Sequence, residues 1–261
     1  MSAPTLVDLD LPSELAGASP RLRGALGIPA GDGPWPGVVL VYEAFGLTDE
    51  MRRQVARMAE AGFLSLMPDL FVEGGPRRCL RATFRDIVRG EGRSFDDVET
   101  ARSALVARPD CTGRVGVLGF CMGGGFALMA ARNRGFRAVS ANYGRLPKDL
   151  DAALSGACPV VASYGRRDLS LRGAAAKLEV ALTAAGVPHD VKEYPTAGHA
   201  FLDTTDEDVP ALLRPILARV LGAGPDPAAA ADAWRRIDGF FRTHLAGEPE
   251  DGAKPAIEPR A

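Results

Sequence analysis

The sequence predicts an α/β fold built on a doubly wound, mostly parallel sheet. Three observations carry this. Short apolar runs alternate with amphipathic stretches along most of the chain, the alternation that builds parallel sheets covered by helices. The runs are rich in β-branched residues without polar interruption, as in "VVLVYEA" (Val38–Ala44), which suits strands buried on both faces. Polar, glycine-containing loops follow several of them. With 261 residues, 46% of them hydrophobic, the chain can bury one core of the size large α/β domains reach. A single domain over 21–246 is expected, with a lead-in at 1–20. The Pro- and Glu-rich tail at 247–261 has a disordered composition.

The elements follow in order. Arg21–Ile28 reads as a first strand, before the turn-rich "PAGDGPWPG". Val38–Ala44 is the next. Thr48 can cap a helix whose first turn holds Asp49 and Glu50, favourable at the positive end of the helix dipole. Met51, Val55, Met58 and Ala59 give that helix its apolar face, Gly62 ends it, and "FLSLMPDLF" is a strand with its exit loop. The Arg- and Gly-rich stretch 73–92 is irregular, with a short helix at 79–89. Ser94 followed by Asp97 reads as a helix start, with Val98, Ala101 and Leu105 buried. "RVGVLGF" is a strand, 123–133 a helix, and "FRAVSANYG" and "CPVVASYGRRD" are strands with polar exits. A helix at 172–185, the strand "HDVKEYP" and helices at 210–221 and 228–245 close the chain.

Charge and composition exclude several roles. The formal charge is −2, and the 31 basic residues are interleaved with 33 acidic ones. This favours neither nucleic acid nor an anionic membrane as a partner. No apolar run approaches the ~20 residues of a membrane span. The opening "MSAPTLVDLDLPSELAG" has no basic region followed by an apolar core, so no secretory signal is expected. Four cysteines without a C-x-x-C pair suggest neither a disulfide framework nor a zinc site. A reducing, cytoplasmic setting, no cofactor, no metal and a monomer are the expectations.

In this architecture ligands bind outside the carboxyl ends of the strands, so the exit loops matter most. "RVGVLGFCMGGG" places Cys121 in a G-x-C-x-G turn between a strand and a helix, the form of a nucleophile elbow. The turn demands small neighbours, hence Gly119 and Gly123. It lifts Cys121 to a helix N-terminus, where free N–H groups and the dipole favour an anion. The N–H of Met122 would face an oxyanion formed beside the sulfur. The alternative is a buried, inert cysteine. Cys79 and Cys158 read as structural, and Cys111 as a loop residue.

A thiol nucleophile needs a base, and the base an orienting acid. Of three histidines, His189 opens a strand at the wrong edge and His244 ends the last helix. His199, in "TAGHAFLD", leaves a strand at the right edge. The order nucleophile, acid, base selects Asp168, directly after "VVASYGRR". Asp149 and Asp151 lie in a polar segment, Asp190 and Glu193 lie within a strand, and Asp203 follows His199 too closely. Glu43 ends a central strand, where an unpartnered carboxylate is costly to bury, so it should face the same cleft. The Ala44 N–H beside it is placed as a second oxyanion donor.

With these residues in order the chain resembles the dienelactone hydrolase family of the α/β-hydrolase fold. "YEAFGL", "MPDLF", "GFCMGGG", "YGRRD" and "AGHAF" stand in that family's order and roughly its spacing. "ADAWRRIDGFFRTHL" looks like its closing helix, so the resemblance spans about Leu22 to Leu245. It implies Cys121 as nucleophile, Asp168 as orienting acid and His199 as base. Glu43 would hold the resting thiol and take up its proton when substrate binds, and Ala44 and Met122 would form the oxyanion hole. The implied reaction is lactone or ester hydrolysis of the carboxymethylenebutenolidase type, through a thioester and without a cofactor. Tyr143, Phe201 and Asp203 are expected to contact the small-molecule substrate. In this family arginines hold the substrate carboxylate. Arg81, with Arg78 and Arg85, is the candidate for one, but Asp203 stands where the other would fall. That departure favours a carboxylesterase or thioesterase for uncharged substrates as the alternative. A non-catalytic binding member, or a redox role for Cys121, ranks lower.

Overall fold

The computed structural model describes residues 3–132, 134–212 and 214–247. Eight strands form one sheet: β1 (Thr5–Asp10), β2 (Arg23–Ile28), β3 (Trp35–Val41), β4 (Leu64–Pro68), β5 (Cys111–Phe120), β6 (Val139–Asn142), β7 (Val160–Gly165) and β8 (His189–Tyr194), in spatial order β1-β2-β4-β3-β5-β6-β7-β8. From β4 to β8 neighbouring strands are parallel, while β1 and β2 are antiparallel to their neighbours. The helices are α1 (Asp49–Glu60), α2 (Gly75–Arg89), α3 (Arg93–Val106), α4 (Met122–Ala130), α5 (Leu150–Leu154), α6 (Ala174–Ala184), α7 (Arg214–Leu221) and α8 (Pro227–His244).

Right-handed crossovers dictate the layering. From β3 the chain crosses α1 to reach β4 on one side. From β4 it crosses in the opposite direction, through α2 and α3, to β5, and continues that way through α4 to β6 and α6 to β8. Opposite directions put α1 on one face and α3, α4 and α6 on the other. α8 returns beside α1, joined to it by the Arg57–Asp238 ion pair at 3.4 Å and by Arg57 stacked 3.9 Å over Trp234. The direction reverses at β3, so the crevice for a ligand opens at the carboxyl ends of β3 and β5. Both strands are buried along their apolar length, as their sequences predict.

Several expectations are corrected. The lead-in holds β1, an edge strand exposed along most of its length and therefore without the apolar signal of a core strand. Residues 73–92 are more regular than their composition suggests: α2 spans 15 residues, with a Pro at its start and Gly90 as a left-handed C-cap. Gly92, not Ser94, precedes α3. Ser94 instead donates to Asp86 at 2.9 Å, and Asp97 is buried, accepting from the Ser19 N–H at 2.6 Å. Asp149 caps the unforeseen α5. Cys111 begins β5 and Cys79 sits in α2, both buried. Of the 247–261 tail, residues 248–261 lie outside the described residues. No helix among the described residues is long and apolar enough to cross a membrane.

Candidate active site

Five strand exits at one sheet edge converge. Glu43 lies two residues after β3, Cys121 one after β5, Tyr143 one after β6, Asp168 three after β7 and His199 five after β8. Register makes them neighbours: Val41 pairs with Gly119, Phe120 with Asn142, and Asn142 with Ser163.

The elbow at Cys121 is sharp. Its backbone sits at φ 53°, ψ −111°, costly for a residue with a side chain, on the order of 1–3 kcal/mol. The Cys121 N–H donates to the Asn142 carbonyl at 3.0 Å, and its carbonyl accepts from the Gly124 N–H at 3.1 Å. A methyl on Gly119 would run into the Gly123 carbonyl, and one on Gly123 into the Val41 carbonyl. These two glycines are therefore steric requirements of the turn, as the sequence suggests. The remaining non-glycine residues with positive φ among those described, Tyr143 and Ala200, belong to the same site. Strain held this way clusters where a structure over-determines it for function.

The His199 ring Nδ1 lies 2.5 Å from Asp168 Oδ2. The opposite oxygen of Asp168 accepts from the Ser170 hydroxyl at 2.6 Å and its N–H at 3.0 Å. Asp168 is fully buried. Burial alone would raise its pKa, but hydrogen bonds from His199 and Ser170 outweigh it and hold the carboxyl below its usual value. With Nδ1 engaged, the other ring nitrogen is left free, and the Cys121 thiol is near enough to act on the imidazole. Burial depresses the imidazole pKa, yet the charges and hydrogen bonds of Cys121 and Asp168 prevail and push it up to about 11. The backbone of His199 is held by Leu221 and Gly224 at 3.0 and 3.1 Å, and its ring packs 5.2 Å from that of Tyr143.

Glu43 is only 7% exposed, and its Oε1 has no hydrogen-bond partner. Burial raises its pKa to about 7, His199 pulling the other way and Glu50 adding to the rise. The Tyr143 hydroxyl is near enough to favour the Glu43 carboxylate, although it makes no hydrogen bond of regular geometry. Asp203 also leaves a buried oxygen, Oδ1, unpartnered. Burial and then the charge of Glu43 lift its pKa far above the carboxylate range. Phe201 is buried against Tyr143 and Tyr194, with ring centroids 5.5 and 5.2 Å apart, so it supports the floor of the site. Met122 opens α4, where its N–H has no intrahelical acceptor, and Ala44 follows Glu43 in the β3 exit.

Arg81 is not brought to this cluster. Cys79, Thr83 and Asp86 turn inward from α2, which leaves Arg81 exposed on the opposite side and outside the cavity lining. Sequence reasoning passed over Ser170 and Glu50. Ser170 lies two residues after an acid at a strand exit, a short turn signal that could have drawn attention to it. Glu50 was read only as a helix-start acid. It is buried and accepts from Gln54 at 2.6 Å, the Thr204 N–H at 2.9 Å, the Thr204 hydroxyl at 2.6 Å and Arg53 at 2.8 Å. It thereby ties the loop after His199 to α1.

Fold and site together define a protein of the α/β-hydrolase class, with a thiol, an imidazole and two carboxyl groups gathered at one sheet edge. The model of the dienelactone hydrolase family matches residues 22–245, and the chain belongs to that family. It is a hydrolase of ester or lactone bonds. It is 32% identical over 224 residues to the carboxymethylenebutenolidase of Rhodococcus opacus, covering 80% of this chain and 81% of that one. The dienelactone hydrolase structure from Anabaena variabilis is 25% identical, with a TM-score of 0.67 over 94% of this chain and 100% of that one. Brefeldin A esterase, at 16% identity and TM-score 0.65 over 94% of this chain and 78% of that one, shares the fold.

Proposed function

We propose that Cys121, His199 and Asp168 act as nucleophile, base and orienting acid in the hydrolysis of a lactone or ester through a thioester intermediate. The observation that carries this reading is the buried Asp168 carboxylate holding His199 Nδ1, with Cys121 near enough to act on the same imidazole. It is built on a backbone that only a strained elbow supplies.

With His199 as imidazolium, the Cys121 sulfur attacks the carbonyl carbon. The carbonyl electron pair moves to oxygen, which the N–H groups of Met122 and Ala44 receive. On collapse the C–O bond breaks. The leaving oxygen, alkoxide or enolate, takes the His199 proton, which leaves the imidazole neutral. Neutral His199 then takes a proton from water, the hydroxide adds to the thioester, and the C–S bond breaks. The thiolate returns, and the acid product loses its proton to solvent. Asp168 fixes the ring orientation and stabilises the imidazolium throughout. Glu43, whose pKa of about 7 lies in the working range, exchanges the thiol proton as substrate arrives.

Among the described residues, those lining the cleft of Glu43 and Asp203 include the acidic Glu50, Asp206 and Asp208 and no arginine or lysine to hold a substrate carboxylate, which supports the second reading, an esterase or thioesterase for substrates without that charge. A reducing cytoplasmic setting and a monomeric state complete the proposal. Cys121→Ala tests it. Turnover of p-nitrophenyl acetate should fall to background, and retained turnover would sink the nucleophile assignment.

A further inference from the structure

Helix α2 is held to the body by one narrow face. Cys79, Thr83 and Asp86 turn inward, and Asp86 accepts from the Ser94 hydroxyl at 2.9 Å and its N–H at 3.1 Å. The opposite face carries Arg77, Arg78, Arg81, Arg85 and Arg89, all exposed. Asp86 is the single acid in the helix, and it points away from them. Phe84 and Val88 stand one turn apart among these arginines, 42% and 68% exposed.

Elsewhere in the chain, arginines are commonly matched. Arg21, Arg52, Arg57, Arg108 and Arg236 each meet a carboxylate at 2.6–3.4 Å. Among the described residues, none of the five arginines of α2 makes an ion pair or a side-chain hydrogen bond. The formal total of −2 conceals this local excess of positive charge. Like charges gathered without partners repel one another, and two apolar side chains left in water add to the cost.

Three properties select what would cover this face. Its charge calls for an anionic partner. Phe84 and Val88 call for an apolar layer behind the anionic one, the order in which a bilayer presents phosphates and then acyl chains. The locked inner face leaves only a strip of α2 available, which suits a flat surface rather than a groove that wraps a helix. A second copy of the chain does not fit, because pairing this face with itself about a two-fold axis sets arginine against arginine.

We propose that the outer face of α2 docks the protein on an anionic lipid surface, with its arginines on headgroup phosphates and Phe84 and Val88 at the acyl boundary. A single helix of 15 residues gives reversible adsorption, not anchoring. The inference stands independently of the hydrolase reading.

The test sediments the full chain with vesicles of phosphatidylcholine alone and with vesicles in which about one-third of the lipid is phosphatidylglycerol. Binding to the anionic vesicles is expected to be at least about tenfold tighter, and the excess should shrink as salt is raised. Arg77→Gln combined with Arg89→Gln should weaken it about tenfold or more, since each arginine near such a surface contributes about a factor of five. Phe84→Ser combined with Val88→Ser should weaken it severalfold and leave the salt dependence in place. Arg235→Gln, on α8 and paired with Asp232 at 2.8 Å, should bind as wild type does. Circular dichroism and Tm check that each variant is folded. Equal binding to the two kinds of vesicle, or anionic binding that the α2 arginine variant leaves unaltered, overturns the inference. Wild-type binding by the Phe84 and Val88 variant refutes the insertion. A single-stranded oligonucleotide or polyglutamate held more tightly than the anionic vesicles gives the face to another class of partner and likewise overturns it.

Discussion

Glu43 is the residue whose charge is most finely balanced. Folding takes it from the ordinary 4.5 to about 7, through burial opposed by His199. The native state therefore binds this proton more tightly than the unfolded chain. The stability it contributes is fully present below pH 4.5 and is lost as pH climbs to about 7. Glu43→Gln needs no proton. Its stability relative to wild type should rise across that window by up to about 3 kcal/mol, measured by denaturant titration at several pH values. A gain independent of pH would contradict the burial argument. Activity should move the opposite way. Wild-type kcat/KM should rise with pH through about 7 as the carboxylate forms, and Glu43→Gln should flatten that limb and lower its plateau. The trade is the one expected where a buried charge is retained for chemistry.

The turn from β5 into α4 and the clamp on the loop after His199 are the elements that hold the chemistry. Gly123→Ala puts a methyl against the Val41 carbonyl, so β3 and α4 must part. We expect a loss above about 4 kcal/mol and a fall in Tm on the order of 10 °C, read by calorimetry; an unchanged Tm would show that the turn has slack. Glu50→Ala strands the Thr204 N–H and the Gln54 amide, which both donate to it, costing about 2–4 kcal/mol. Hydrogen exchange should quicken at Thr204 and through 203–208, with exchange in β5 unaffected. The elbow was legible in the sequence because its constraint is local: glycine on both sides of one cysteine. The clamp was not, because Glu50 and Thr204 lie 154 residues apart and neither carries a pattern of its own. The α2 helix hid for a different reason. Glycines and five arginines on its solvent side conceal a narrow inward face of Cys79, Thr83 and Asp86.

At the scale of the molecule, one sheet does the arranging. Parallel strands deliver Glu43, Cys121, Asp168 and His199 to a single edge in chain order, and right-handed crossovers leave that edge uncovered. This is why the order of a few strand-exit residues could be read from sequence, while the acidic cleft beside them could not. The cleft combines β3, α1 and a long loop, and its chemistry exists only once they meet. β1 was missed because an edge strand with mostly exposed residues has little apolar pattern to read. The central claim concerns the atom that bonds to substrate. Wild-type enzyme mixed with p-nitrophenyl acetate, quenched in acid within the first turnover and analysed by peptide mass spectrometry, tests it most directly. One acetyl group on Cys121 is the predicted result. An acetyl group on another residue, or none while Cys121→Ala retains turnover, would contradict it.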